Sequence, residues 1–359
     1  MARRRDLFTP PRRRRWGCIV LPAFFLLILV AGIFLNSAMS SYPKREAKKV
    51  TVLGLPRGLE GLRILHMSDL HAKEYGVKQD KLMPLVRHDN YRAVCMTGDM
   101  VGQSGNVQPL LDALANIPSD VPTFFIAGDE DPPPIVETVQ DTDSPYSPWV
   151  QAAQEAGAIY LDSPYKVEMG KDVLWFCPAS LLTVDLPAAQ FAMAEREKEI
   201  LLMPEGEEQS ALLRAVKYRQ HVLERTLEAK REMLPQHTYI ALSHAPLGEE
   251  SVSLIHHSQE GRVVMNNFPG TLSLILSGHL NNGQVRLPGL KALYAPPSEV
   301  WGGGFFPDDR VIAGVSSARG VVQHVSPGLG VSRVYPWWAS FRFFNPPVIS
   351  VLTLTADIY

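Results

Sequence analysis

VTVLGLPRGLEGLRILHMSDLH, residues 50–71, decides how the rest of the chain is read. Apolar residues at 50–55, a Pro/Gly break around 56–61 and a second apolar run at Arg63–Met67 predict a strand, a turn and a buried strand. The second strand ends on Ser68-Asp69-Leu70-His71, so a carboxylate and an imidazole leave the sheet together. Alone, an aspartate after a strand is most often a helix cap or turn residue. Its meaning depends on whether other strands deliver partners.

Four do. AVCMTGDM (93–100), TFFIAGDED (123–131), YIALSHAP (239–246) and LSLILSGHLNNG (272–283) are short apolar runs that each end in a polar turn. Segments 106–117 and 147–157 between them read as helices, which gives the rhythm of an α/β sheet. Loops after the carboxyl ends of such strands converge on one site. The converging residues are Asp69 and His71; Asp99; Asp129, Glu130 and Asp131; His244; and His279 with Asn281.

Hard oxygen donors mixed with imidazoles suit Mn, Fe or Zn, and a shared carboxylate suits a pair of ions. Two such ions about 3.5–4 Å apart polarise a phosphoryl group and acidify water, which directs the reading to phosphoester hydrolysis. A lone strand-end histidine such as His244 is more often structural than a ligand. The ordered run of D-x-H, G-D, G-D-E-D, S-H-x-P and G-H-x-N is what outweighs that bland reading. His256 and His257 belong to no motif and read as ordinary helix or loop residues.

The chain has 359 residues and a net charge of −2, which gives no reason to expect a nucleic-acid partner. Its three cysteines, Cys18, Cys95 and Cys177, are too scattered for a disulfide framework or a zinc site. Trp16 to Leu35 is an uncharged apolar run of the length that crosses a bilayer. Seven arginines precede it and four basic residues follow, so the expectation is a single-pass anchor in the cytoplasmic (inner) membrane with the bulk of the chain on the non-cytoplasmic side. Ala38-Met39-Ser40 would suit cleavage of a signal peptide, but the apolar run exceeds the usual length of such a core.

The organisation expected is a basic tail (1–15), an anchor (16–35), a juxtamembrane linker (36–49) and one domain (50–359). Residues 188–234 read as a helical insertion with Leu212, Val216, Leu223 and Leu227 on its apolar face, packed on its own domain or serving as a lid or membrane-contacting element.

The five motifs in this order resemble those of the calcineurin-like metallophosphoesterases, D-x-H, G-D, G-N-H-(D/E), a later H and G-H-x-H. Residues 50–71, SPGLG (326–330), Arg342 and NPPVISVLTL (345–354) resemble the bacterial membrane-associated branch of that superfamily. The resemblance covers about 50–359 outside the insertion. It implies an α/β sandwich of two mixed sheets flanked by helices, with two divalent metal ions at the sheet ends. The first ion would take Asp69, His71 and Asp99; the second would share Asp99 and take Asp129, His244 and His279.

Three positions depart from the family pattern. Asp129 stands for Asn and still binds hard cations. Asn281 stands for the last His of G-H-x-H, retaining at most a carbonyl oxygen for the first ion and so weakening that site. Glu130 stands for the His that the family uses beside the leaving group, and an ionised carboxylate there repels phosphate. The expected function is a membrane-anchored, metal-dependent hydrolase of a phosphodiester or pyrophosphate in a lipid, nucleotide-linked or envelope-precursor substrate. The alternative is a catalytically degraded relative acting as a binding or envelope-assembly factor. Partners beyond the bilayer and the substrate, and the oligomeric state, have no signal in the sequence.

Overall fold

Successive side chains of a strand take opposite faces, and here both faces are buried. In Arg63–Met67, Ile64 enters one apolar cluster while Leu65 and Met67 enter another. In Ala93–Thr97 the same split separates Ala93 and Cys95 from Val94 and Met96. The computed structural model describes residues 17–87, 90–139, 143–259, 262–265, 268–287, 291–333 and 335–356; the basic tail 1–15 lies outside them.

One six-stranded sheet runs, edge to edge, Lys44–Val52, Val348–Ala356, Arg63–Met67, Ala93–Thr97, Thr123–Ile126 and Ile159–Tyr160. All neighbours are parallel except Val348–Ala356 against Arg63–Met67. The second runs Gly314–Ala318, Val321–Val325, Leu272–Ser277, Thr238–Leu242, Asp172–Pro178 and Tyr165–Met169, with antiparallel pairs at its two edges and parallel pairs inside. Ile64, Cys95 and Phe124 of the first sheet meet Phe176, Ile240 and Leu276 of the second in a shared core. Helices Gln108–Leu114 and Pro148–Glu155 cover the outer face of the first sheet. Glu249–Ile255 and Met233 cover that of the second. The molecule is an α/β sandwich of two mixed sheets flanked by helices.

Residues 36–49 are not a linker. The N-terminal helix runs Gly17–Ser41, and Lys44–Val52 is already an edge strand, leaving only Tyr42 and Pro43 between them. The strand KREAKKVTV carries charges because edges of sheets are commonly protected by lysine and other polar residues, which in sequence imitates a linker. The helix is long and apolar enough to cross a membrane. Near its end Asn36 donates to the Arg342 carbonyl at 3.0 Å and accepts from the Phe344 N–H at 2.8 Å, which ties the helix to the loop before the last strand.

The insertion is a hairpin of two helices, Leu186–Leu201 and Glu207–Glu232. Asp185 caps the first through the Ala188 N–H at 3.0 Å. In the second, Val216 and Leu223 are buried as expected, but Leu212 and Leu227 are only half-buried, and Ala211, Ala215 and Thr226 complete the inner face. Small residues there let the helix approach closely. Arg225 and Tyr218 reach down to Asp162 at the end of Ile159–Tyr160. His256 and His257 begin a short strand, not a helix or loop.

Candidate metal centre

Five strands of the core hand their next residues to one end of the sandwich. Asp69 and His71 follow Arg63–Met67, Asp99 follows Ala93–Thr97, Asp129 follows Thr123–Ile126, His244 follows Thr238–Leu242 and His279 follows Leu272–Ser277. Their donor atoms form two groups: Asp69, His71 and Asp99, and Asp99, Asp129, His244 and His279. Asp99 belongs to both.

The backbone is strained to achieve this. Asp69, His71, Asp99, His279 and Asn281 all have positive φ, between 46° and 69°, a region non-glycine residues seldom occupy. Cross-bonds between loops hold them there. The Asp69 N–H donates to Gly98 O at 3.0 Å, His71 N–H to Asp99 O at 2.8 Å and Ala72 N–H to Met100 O at 3.0 Å. Asp131, buried, accepts from the N–H groups of Met100, Val101, Gly102 and Gly128 at 2.8–3.2 Å, binding the second and third loops into one unit. Two glycines are required by contact. A Cβ on Gly128 would lie 2.1 Å from Asp99 Oδ1, and one on Gly98 would lie 2.6 Å from His244 Nδ1.

Divalent metal fits these donors. Asp99 Oδ1 accepts from the Glu130 N–H at 2.9 Å, but buried Oδ2 has no hydrogen-bond partner and neither has buried His71 Nε2. Oδ2 lies 3.6 Å from His71 Nε2 and 3.4 Å from His244 Nε2, between the two groups. Orphaned buried polar atoms are costly, and cations between them remove the cost. His244 Nδ1 lies 2.8 Å from Thr97 O; donating its proton there turns Nε2, 2.7 Å from Asp129 Oδ1, toward the cluster as the nitrogen that would bind metal, the usual way a second bond selects the ligating nitrogen.

Charge is balanced the same way. Burial, the largest influence on Asp129, pushes its carboxyl up, but His244 and His279, at 2.7 and 3.3 Å, outweigh it and hold the group well below the usual range. Burial pulls the His244 imidazole down, while Asp129 and Asp99 more than compensate and raise it well above its ordinary value. Asp69 is raised by burial. The Asp69 carboxylate accepts the His279 N–H with both oxygens, at 3.0 and 3.1 Å.

Two expected site residues turn elsewhere. Asn281 does not offer its carbonyl to the first group: Oδ1 accepts from Arg342 at 3.0 Å, and the amide nitrogen faces Asp69 Oδ1 at 3.5 Å and His279 O at 3.2 Å. A guanidinium only donates, so this orientation is imposed. Glu130 does not point at the cluster either. Its carboxylate accepts from Ser332 Oγ at 2.5 Å and from the Arg333 N–H at 2.9 and 3.1 Å. Sequence reasoning missed Arg342 and Arg333 as partners because they lie 61 and 203 residues away from Asn281 and Glu130. Asp131 had a visible signal, the third acid after the glycine of the third motif, and its part is to bind loops.

Two cavities flank the cluster. One of about 480 Å³ lies under the helical hairpin, walled by Ala127, Leu161, Leu181, Met193 and Val222 and reaching His244. The other, about 670 Å³, reaches His71 and Glu130 and is rimmed by Ser104, Arg333, Trp337 and Phe341.

Two sheets delivering paired Asp and His residues to one edge define a metallophosphoesterase. The profile of the calcineurin-like phosphoesterases matches residues 62–282, and the chain belongs to that family. No curated protein matches the chain. Among solved structures it is similar to the phosphopantetheinyl hydrolase PptH of Mycobacterium tuberculosis, with 13% identity and a TM-score of 0.35 over 80% of this chain and 97% of that one.

Proposed function

We propose that the chain is a membrane-anchored, metal-dependent phosphoesterase that hydrolyses a phosphodiester or pyrophosphate bond in a lipid or envelope-precursor substrate. The observation that carries the catalytic half is Asp99 Oδ2, buried, without a hydrogen bond and set between His71 and His244. Asp69, His71 and Asp99 would hold one divalent ion, Mn, Fe or Zn, and Asp99, Asp129, His244 and His279 the other. Bound there, such a pair supplies Lewis acidity toward the phosphoryl group and acidifies water. The chain's own residues orient the donors: Thr97 O fixes His244, and the His279 N–H fixes Asp69. With Asn281 tied to Arg342, the first group keeps three protein donors and is the weaker of the two.

The lipid half rests on the helix Gly17–Ser41 and on the apolar cavity that reaches His244. Asn36 fastens that helix beside Arg342–Phe344, close in sequence to exposed Trp337 and Phe341 at the rim of the cavity next to His71. Aromatic side chains favour the headgroup region of a bilayer. The arginines before the helix favour a domain on the non-cytoplasmic side of the inner membrane.

Full-length protein in detergent, loaded with Mn²⁺, tests this on an aryl phosphodiester and on a lipid-linked pyrophosphate. Asp99→Ala is expected to lose metal and activity together. Stoichiometric metal with no turnover of any phosphoester would leave the second reading, a metal-holding binding or assembly factor, which the diversion of Glu130 and Asn281 away from the cluster favours.

A further inference from the structure

The cluster's three aspartates, Asp69, Asp99 and Asp129, offset most of the charge of two divalent ions, so a further cation beside the site would strengthen its hold on an anionic substrate. Among the described residues around the cavity beside His71, Arg333 is the single arginine or lysine. Its side chain is exposed, which alone would mean nothing. What sets it apart is how its backbone is held.

The buried Glu130 carboxylate accepts the Arg333 N–H with both oxygens and the Ser332 hydroxyl with one. From the other side Gln284 clamps Ser332: its Oε1 accepts the Ser332 N–H at 2.6 Å and its Nε2 donates to Ser332 O at 3.2 Å. Gln284 is itself buried and also donates to Ala339 O at 2.9 Å. Two buried side chains, from loops 202 and 48 residues away, therefore fix one turn. Glu130 also gives its own N–H to Asp99 Oδ1 at 2.9 Å. One residue thus spans from the carboxylate shared by both donor groups to the turn that bears the arginine.

We infer that Arg333 receives an anionic oxygen of the substrate, a phosphoryl group of the scissile ester or a neighbouring one, in the cavity next to His71, and that Glu130 is the positioning residue that holds it there. The planar fork of a guanidinium matches phosphate oxygens in a way an ammonium does not. Fixing the backbone of the turn lowers the ordering cost of that contact. Glu130 then acts through the turn it anchors. This inference rests on the phosphoester reading, and its test separates the two.

Full-length protein in detergent micelles, saturated with Mn²⁺, is titrated with inorganic phosphate by calorimetry, and bound Mn²⁺ per chain is measured alongside. Arg333→Gln is expected to weaken phosphate binding by about 10-fold, as loss of a charge-assisted bond does, with Mn²⁺ content as in the wild type. Arg333→Lys is expected to recover part of that loss. Glu130→Ala is expected to weaken phosphate binding in the same direction, and adding Arg333→Gln to it should cost little more. Should Glu130→Ala fail to fold, Ser332→Ala loosens the same turn more gently and is read the same way. Wild-type phosphate affinity in Arg333→Gln at full Mn²⁺ occupancy overturns the inference and leaves the phosphoesterase reading standing. A wild type that takes up no Mn²⁺ removes that reading and this inference with it.

Discussion

At Asn281 a polar side chain has exchanged one partner for another. Arg342 is 5% exposed and spends its donors on Gly330 O, Pro327 O and Asn281 Oδ1, at 2.6–3.0 Å. Burial pulls this guanidinium below its ordinary value, and Tyr75 and Asp69 act against that pull. Asn281→His, which by sequence pattern alone restores the family ligand, would remove the oxygen that accepts from Arg342. The expected outcome is a loss of about 1–3 kcal/mol of stability, the cost of an unsatisfied buried donor, with no gain in bound Mn²⁺. Thermal unfolding and metal content of the purified variant check it. The aspartates and histidines were legible because each sits in a short motif at a strand end, where neighbours in sequence are neighbours in space. The roles of Asn281 and Glu130 were not, because they depend on residues that only the folded chain brings near.

The strand-end loops work as an interlocked set, and their glycines are where the set is most sensitive. Gly128→Ala places a methyl 2.1 Å from Asp99 Oδ1, so either that carboxylate or the loop must move. Bound Mn²⁺ should fall by at least about 10-fold while circular dichroism stays native, since misplacing a donor costs far more affinity than fold. Between the sheets a second polar contact sets a pH limit. His66 Nδ1 and His324 Nδ1 lie 2.8 Å apart, fully buried, with His66 Nε2 2.9 Å from Thr97 Oγ1. A single proton can lie between two facing nitrogens. Burial, then the neighbouring His324, depresses His66 well below its ordinary value, and burial, then Lys48, depresses His324 to about 3. Both rings are neutral in the folded chain and take up protons below about 6.5 when unfolded. Stability is therefore full above that value and is lost as pH falls from there toward 3, by up to about 1.4 kcal/mol per pH unit for each ring. Urea unfolding of metal-free protein between pH 7 and 4 should show this slope, roughly halved in His324→Gln. Strands such as Arg63–Met67 were legible because apolar runs between turn signals are unambiguous. Lys44–Val52 was not: its charges suit an edge strand and a linker equally well, and its pairing partner, Val348–Ala356, is some 300 residues away.

Across the whole molecule, the additions to the sandwich bear on what substrate it takes. The helical hairpin, whose helices were legible in sequence, closes over the ends of Thr123–Ile126 and Thr238–Leu242 and leaves a space of about 480 Å³ that reaches His244. Water in it is poorly accommodated where Leu161, Met193 and Val222 form the wall. On the proposed reading an acyl or isoprenoid chain of the substrate would meet that wall, and each methylene buried would contribute about 0.8 kcal/mol, or about fourfold in affinity. In a series of phosphodiesters whose alkyl arm lengthens, kcat/KM of the Mn²⁺-loaded protein should therefore rise with each carbon and then level off when the cavity is full. Val222→Asp, which puts a carboxylate on the cavity wall, should flatten the series while bound Mn²⁺ stays at the wild-type level. An even response to chain length in the wild type would mean that the hairpin serves only to complete the fold, and that the apolar part of any substrate lies on the other side of the cluster, toward Trp337 and the end of the N-terminal helix.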